Sequence, residues 1–509
     1  MAKNSTFKLY TIEGINYDAI IAIYRQLCET GEWDIDKSSV SVYGGELKRV
    51  LIRKPRKPLN DDVKILNKAK YLIHTIAYRQ ITNRDGSDGA YIQYAVLQKV
   101  IGQDVYELLK ALVELGYVEK IGPYIVGKHS MRYKVNGIII SSQCCNYTIK
   151  KYIEKTTEII KDAILERFNS PEFIKEYGDS FAKTYIKNLN LFKIKDLDGF
   201  ENYIENEIKL DSNKEPYYNF IKESFNKDLK IYRIDNNNRF YHLLTSLERE
   251  LKQFINIKLS VDCKNSHPVL FNYFIFSSKK IDINTSYRIS NILFSIDQNR
   301  IRKENNHNHY DIEKLRNVLI GNNVDKSIIA RFASDELLYI YQTTKGLFWD
   351  DILKEHKGEG YDRATVKEKM FAEVFYSKTK ELDKKEFAQE FNTHYPNVYD
   401  LIERWKEPLN HNDLKNCMLN YNKAVKLGDI VLSSSPETAL PNVMMSLESE
   451  IFREILKSLF RKRMSVVHIH DAIVLPSSQT KVDIEMITDV MRAIYKKYGL
   501  HPTFSIDTY

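Results

Sequence analysis

Two aspartates in this sequence sit in matching settings. Asp471 lies in "MSVVHIHDAIVLPSS" (Met464–Ser478), where the pair His470–Asp471 separates two apolar runs, Val466–Val467–His468–Ile469 and Ala472–Ile473–Val474–Leu475. Both runs read as short buried strands, which puts the pair at the tip of a tight hairpin. Asp262 follows the apolar "INIKLSV" and opens "DCKNSHPVLFNYF", which reads as strand, turn, helix. Many hairpins turn on Asp with no further purpose. Two such carboxylates, brought together from more than two hundred residues apart, could instead hold two Mg²⁺ ions, with Mn²⁺ as a substitute. Ions held there would activate a 3′-hydroxyl and stabilise departing pyrophosphate in an in-line displacement.

A nucleotide substrate also needs its triphosphate held. In "GYDRATVKEKMFAEVFYSK", Arg363, Lys367, Phe371 and Phe375 recur every four residues, so on a helix they form one slowly drifting stripe. The two cations would meet phosphates, aided by the positive end of the helix dipole. The two aromatics would stack on the incoming and the templating base. Arg and Lys four apart also decorate many plain surface helices; the aromatic pair continuing the stripe is what argues for a site. His468 and His470 alternate onto one strand face, which raises a zinc site, but no third and fourth ligand stands at familiar spacing. His468 is then read as a core histidine, and His470 as support for the turn.

These residues need a scaffold. At 509 residues the chain is too long for one ordinary core, and two to four domains are expected. No apolar run approaches the roughly 20 residues that span a bilayer, and the N-terminus lacks the layout of a secretory signal. Five scattered cysteines without a CxxC pair speak against a zinc ribbon and a disulfide framework. The protein is therefore expected in the cytoplasm, with no membrane partner. A net charge of +8 permits a polyanionic partner but fits a solvated lysine-rich surface equally well.

The coarse architecture reads as α+β. Strand character is strong near Phe254–Phe276, helices dominate from Asp311 to Lys426, and strand character returns at "SVVHIHDAIVLP". This is a sheet split in sequence around a helical insertion. Residues 146–235 are Lys-, Glu- and Tyr-rich with helical periodicity. Within about 61–134, "DVKILNKAKYLIHTIAYRQ", "GAYIQYAVLQKVIG" and "QDVYELLKALVELGYVEK" read as helices, and "IGPYIVGKHSMRYKV" as strand. The order resembles a winged helix-turn-helix, which docks DNA in some proteins and serves as an interaction or structural element in others.

Asp262 in "VDCKNSHP", the Arg-x₃-Lys-x₃-Phe-x₃-Phe helix and the "HIHDAIV" hairpin occur in the order of motifs A, B and C of the family A DNA polymerases. The single-subunit RNA polymerases of phage and mitochondria share that scheme. The chain resembles this family over about residues 230–509. "NNNRFYHLLTSL" is similar to the segment whose arginine, here Arg239, contacts the primer end through the minor groove. "LPNVMMSLESEIFREIL" is similar to the helix whose polar residues, here Asn442 and Ser446, face the duplex. "FNTHYPNVYDLIERWK" resembles the helix after motif B, and "GLHPTFSIDTY" the last strand.

The resemblance implies a right-hand polymerase with an antiparallel palm sheet. Palm would occupy 236–310 and 431–509, fingers 311–430 and a thumb-like helical region 146–235, behind an N-terminal domain (1–145) that contains the winged-helix-like module. Asp262 and Asp471 would be the metal ligands. Arg363 and Lys367 would grip the triphosphate, with Lys367 protonating pyrophosphate. Phe371, Phe375 and His267 would line the nucleotide pocket, and Arg239, His470, Asn442 and Ser446 would contact primer and template.

Three positions depart from the family pattern. His267 stands where the DNA polymerases carry a Glu that blocks the ribose 2′-hydroxyl and the RNA polymerases carry Gly; a bulky imidazole favours deoxynucleotides. Phe375 replaces a tyrosine, and Tyr376 the Gly after it, so a hydroxyl that helps read the sugar or base is expected to be lost. Ala472 follows His470–Asp471 where Glu or Ser is usual. No stretch suggests an acidic exonuclease domain. The expectation is a template-directed nucleotidyltransferase, a DNA-directed DNA polymerase without proofreading. It would serve DNA replication of a phage or other mobile element in a bacterial cell, using primer–template and nucleoside triphosphates, with a replication partner at the N-terminal domain. A single-subunit RNA polymerase or primase, and a non-catalytic nucleic-acid-binding regulator, are the alternatives.

Overall fold

The computed structural model describes residues 7–34, 42–43, 46–47, 50–82, 90–121, 131–207, 215–227, 229–235, 237–248, 250–303, 306–355, 360–377, 385–406, 421–433, 436–476 and 481–508. These residues form a mixed α/β protein, mostly helical, with small antiparallel sheets. No described helix is long and apolar enough to cross a membrane. The chain divides into two compact units, Met1–Ser170 with Leu197–Tyr232 and Pro171–Asp196 with Arg233–Tyr509. The stretch 146–235, read above as one helical region, contributes to both.

In the first unit the helix Asp62–Thr82 is central, because Ile65, Ala69, Leu72, Ile73 and Ile76 fall on its inner face and are all buried. It is followed by the strand Ala90–Ile92, the helices Tyr94–Ile101 and Val105–Glu114, and the strands Val118–Lys120 and Met131–Val135. The three strands make one antiparallel sheet with Met131–Val135 in the middle. The segment beginning at Ala90, read as helix, opens as a strand because Ala90–Ile92 pair with Met131–Tyr133; tertiary pairing overrides local helical spacing. Residues 122–130, part of the strand-like stretch, lie outside the described residues.

The helix Tyr17–Thr30 is capped by the Asn16 side chain, which accepts from the Ala19 N–H at 3.1 Å. It packs on Val105–Glu114, and a buried polar network reinforces the contact. Arg56 Nη2 donates to Asp104 Oδ1 (2.7 Å) and Glu107 Oε2 (2.9 Å), the Tyr24 hydroxyl donates to Asp104 at 2.6 Å, and Lys68 pairs with Asp104. Along Val105–Glu114 only Tyr106, Lys110, Val113 and Glu114 are left partly or fully open.

The second unit is built on a four-stranded antiparallel sheet: β1 (Leu259–Cys263), β2 (Val467–Ile469), β3 (Ala472–Leu475) and β4 (Phe504–Thr508), in the order β2-β3-β1-β4. β1 runs one residue past Asp262, which faces Ala472 on one side and Ser505 on the other. Leu259, Val261, Ile473 and Val474 are buried. Helix α1 (Ser266–Ser278) leaves β1 through Asn265, held at φ 58°. It is apolar around most of its circumference, as a helix enclosed on all sides must be. It packs against the helix Ser334–Lys345 and against α3 (Pro436–Arg461), while α2 (Arg363–Met370) lies between them in sequence.

Candidate active site

β2 and β3 are joined by His470 and Asp471 alone, with Ile469 opposite Ala472. His470 takes φ 53°, the left-handed conformation with which a two-residue turn follows the twist of its strands. The Cys263 N–H donates to the Asp471 carbonyl at 3.1 Å, stitching the turn to the end of β1. Asp262 and Asp471 therefore share one corner of the sheet, as their matching settings in sequence implied.

Burial disfavours the charge of both aspartates. Burial raises the Asp262 carboxyl above its ordinary range; Lys367 and Lys252 oppose the rise, while Asp507 and Glu448 add to it. Burial also raises Asp471, with the charges of Asp262 and Glu448 adding and that of Lys367 opposing. Among the described residues neither carboxylate makes an ion pair. Ionisation at this corner is thus disfavoured by burial and by neighbouring carboxylates. Two hard oxygen donors with unmet charge suit Mg²⁺, which typically takes one or two carboxylates and completes its shell with water and substrate phosphates.

α2 supplies the opposing cations. Asp362 caps it by accepting from the Thr365 N–H at 2.7 Å. Lys367 is exposed, and its charge reaches both aspartates. Arg363, one turn earlier, donates from Nε to Asp350 Oδ1 at 2.9 Å in a half-exposed pair. After Phe371 the four-residue stripe breaks. The Tyr376 N–H donates to the Phe371 carbonyl at 2.8 Å, so Phe371–Phe375 form a five-residue turn. Phe375 consequently turns into the core, 1% exposed and packed against Phe271, Phe371 and Phe391. It is not open to stack on a templating base, which corrects the expectation drawn from spacing.

The same widening presents Tyr376. Its ring stacks on half-buried Phe371 at 5.1 Å, and its hydroxyl lies 2.6 Å from His267 Nδ1. The hydroxyl expected to be lost at position 375 is present one residue later. On the other side of the imidazole, Arg239 Nη2 lies 3.2 Å from Nε2. Both ring nitrogens are thus engaged, Nδ1 by the Tyr376 hydroxyl and Nε2 by Arg239.

Beneath this chain lies Glu448 on α3, 4% exposed. It accepts from Arg239 Nη2 and, at 3.0 Å, from the Ser266 hydroxyl, and its Oε1 is 3.4 Å from His267 Nε2. Burial works against its charge, but Arg239, His267 and Ser266 together hold its carboxyl well below the usual range. Burial likewise opposes the Arg239 charge, and Glu448 reverses the effect, leaving the guanidinium more firmly protonated than usual. Sequence reasoning passed over Glu448, Ser266 and the role of Tyr376. One signal was available: Met444, Glu448 and Phe452, four apart, are all buried, and an acid inside a core stripe requires a partner.

The remaining candidates lie nearby. Arg239, Glu448, Phe452, His468 and His470 line one cleft. Asn442 and Ser446 are half-buried one turn apart on α3, and Asn442 Oδ1 accepts from Asn237 Nδ2 at 3.3 Å. His468 is buried, with Nδ1 2.9 Å from the Tyr185 hydroxyl, and burial lowers its pKa to about 3. His470 is exposed. Strand alternation ends at Ile469, so the two histidines do not share a metal-binding face. No protein-family model matches this chain, and no curated protein does.

Proposed function

We propose that the second unit is a template-directed nucleotidyltransferase, a DNA polymerase that extends a primer. The observation that carries this reading is the meeting of Asp262 and Asp471 at one sheet corner, under-neutralised and within the field of Lys367. Both aspartates would hold Mg²⁺. When bound, the metal supplies the charge that acidifies a 3′-hydroxyl and offsets the charge of the departing pyrophosphate. Lys367 lies on the phosphate side and donates a proton to the leaving group. Arg363 exchanges its exposed Asp350 partner for the triphosphate. Phe371 flanks the base, and His267 with Tyr376 forms the wall beside the sugar. Arg239, His470, Asn442 and Ser446 face the primer–template.

A braced imidazole–phenol wall leaves little room for a 2′-hydroxyl, which supports deoxynucleotides over ribonucleotides. In the first unit, the order helix, strand, two helices, two strands supports a winged-helix module. Its second paired helix is largely enclosed by Tyr17–Thr30, which favours contact with a replication protein over reading of a DNA groove.

The test is extension of a labelled primer–template with Mg²⁺ and either dNTPs or NTPs, alongside Asp471→Ala. Extension with dNTPs that Asp471→Ala abolishes is the expected result. Unprimed RNA synthesis would replace it with the primase reading, and binding without incorporation would leave only a nucleic-acid-binding role.

A further inference from the structure

We propose that Glu448 is a positioning residue that couples selection of the sugar to inspection of the primer end. The inference rests on the nucleotidyl-transfer reading and adds a residue to it. Glu448 touches none of the reacting groups in that reading, yet it is bonded to both sets of side chains that would. One carboxylate oxygen takes the Arg239 guanidinium; the other takes the Ser266 hydroxyl and lies beside His267. Ser266 opens α1 directly after the short turn that follows the Asp262 strand. The Arg239 nitrogen that Glu448 holds is the one facing His267 Nε2, and His267 in turn orders Tyr376. A displacement of Arg239 by a badly paired primer end would therefore be transmitted through Glu448 and His267 to the sugar wall. Because the Arg239 side chain is 18% exposed, that of His267 12% and that of Glu448 5%, water has little access with which to uncouple them.

Glu448→Gln keeps the volume and the Ser266 bond but removes the charge that holds Arg239. Incorporation kinetics are compared for dNTP against NTP and for matched against mismatched primer ends, in the wild type, Glu448→Gln, His267→Ala and the double variant. We expect both selectivity ratios to fall together by about tenfold in Glu448→Gln. In the His267→Ala background, Glu448→Gln should bring no further loss of sugar selectivity. Glu448→Asp, which keeps the charge, should recover part of both ratios. A uniform fall in kcat with both ratios intact would overturn the coupling while leaving nucleotidyl transfer in place. A wild-type protein that incorporates no nucleotide would remove the reading and the coupling with it. If Glu448→Gln does not fold, Glu448→Asp carries the test: ratios that shift together support the coupling, and unchanged ratios overturn it.

Discussion

Asp104 in the first unit and Asp262 in the second are both drawn out of water, but their surroundings treat them oppositely. Asp104 is met by Arg56, Lys68 and the Tyr24 hydroxyl. Burial works against its charge, and those three partners more than offset it, so its carboxyl is lowered. Asp262 is raised by burial, with Asp507 and the buried Glu448 adding to the rise and Lys367 and Lys252 opposing it without contact. The first cluster is closed, every charge answered by a contact. The second is open, with charge left for something outside the protein to answer. Closed clusters fasten elements together, whereas carboxylates held away from their preferred state collect where chemistry is done.

Substitutions should separate the two kinds. Asp471→Asn is expected to lower primer extension by about three orders of magnitude or more, with no loss of melting temperature, since it relieves repulsion. A variant that keeps activity would close the open cluster as a functional idea. Asp104→Asn should do the reverse: it leaves Lys68 and Arg56 under-compensated and costs about 3–5 kcal/mol of stability, read by denaturant unfolding. Stability equal to the wild type would show that this network contributes nothing.

The clusters also differ in the sign of their response to acid. Asp104, lowered, lends stability above the ordinary carboxylate range and loses it as pH falls. Asp262 and Asp471, raised, lend stability at low pH and withdraw it as pH climbs through their raised values. Metal-free wild type should therefore lose stability relative to an Asp262→Asn/Asp471→Asn variant between about pH 4 and pH 8. Mg²⁺ at a hundred times its Kd should restore about 2.7 kcal/mol at pH 8 in the wild type only. Parallel pH curves and no metal effect would sink this account. The smallest effect is expected at Arg363, whose half-exposed pair with Asp350 contributes little to stability. Arg363→Ala should move stability by less than about 0.5 kcal/mol while raising the nucleotide KM by about tenfold; an unchanged KM would take Arg363 out of the site.

The open cluster was largely legible in the sequence, because an apolar strand ending in Asp at a turn is a local pattern and occurs twice. The helix that carries Arg363 and Lys367 one turn apart was legible as well, because its spacing is also a local pattern. What escaped was set by distant partners or by a change of helical pitch. Glu448 has its meaning only through Arg239, Ser266 and His267, each from a remote segment. Phe375 and Tyr376 exchange expected places because nothing in "FAEVFYS" announces a five-residue turn. In the closed cluster, Arg56 belongs to a basic run that reads as surface charge, yet it is spent on an internal bond.

That wide turn over Phe371–Phe375 makes the helix sensitive to length as well as to chemistry. An extra rung is a frameshift in three dimensions. Deleting one residue there would let an ordinary helix close, swing everything after it by about 100°, and carry the phenol of Tyr376 away from His267 although no side chain in the pocket had been altered.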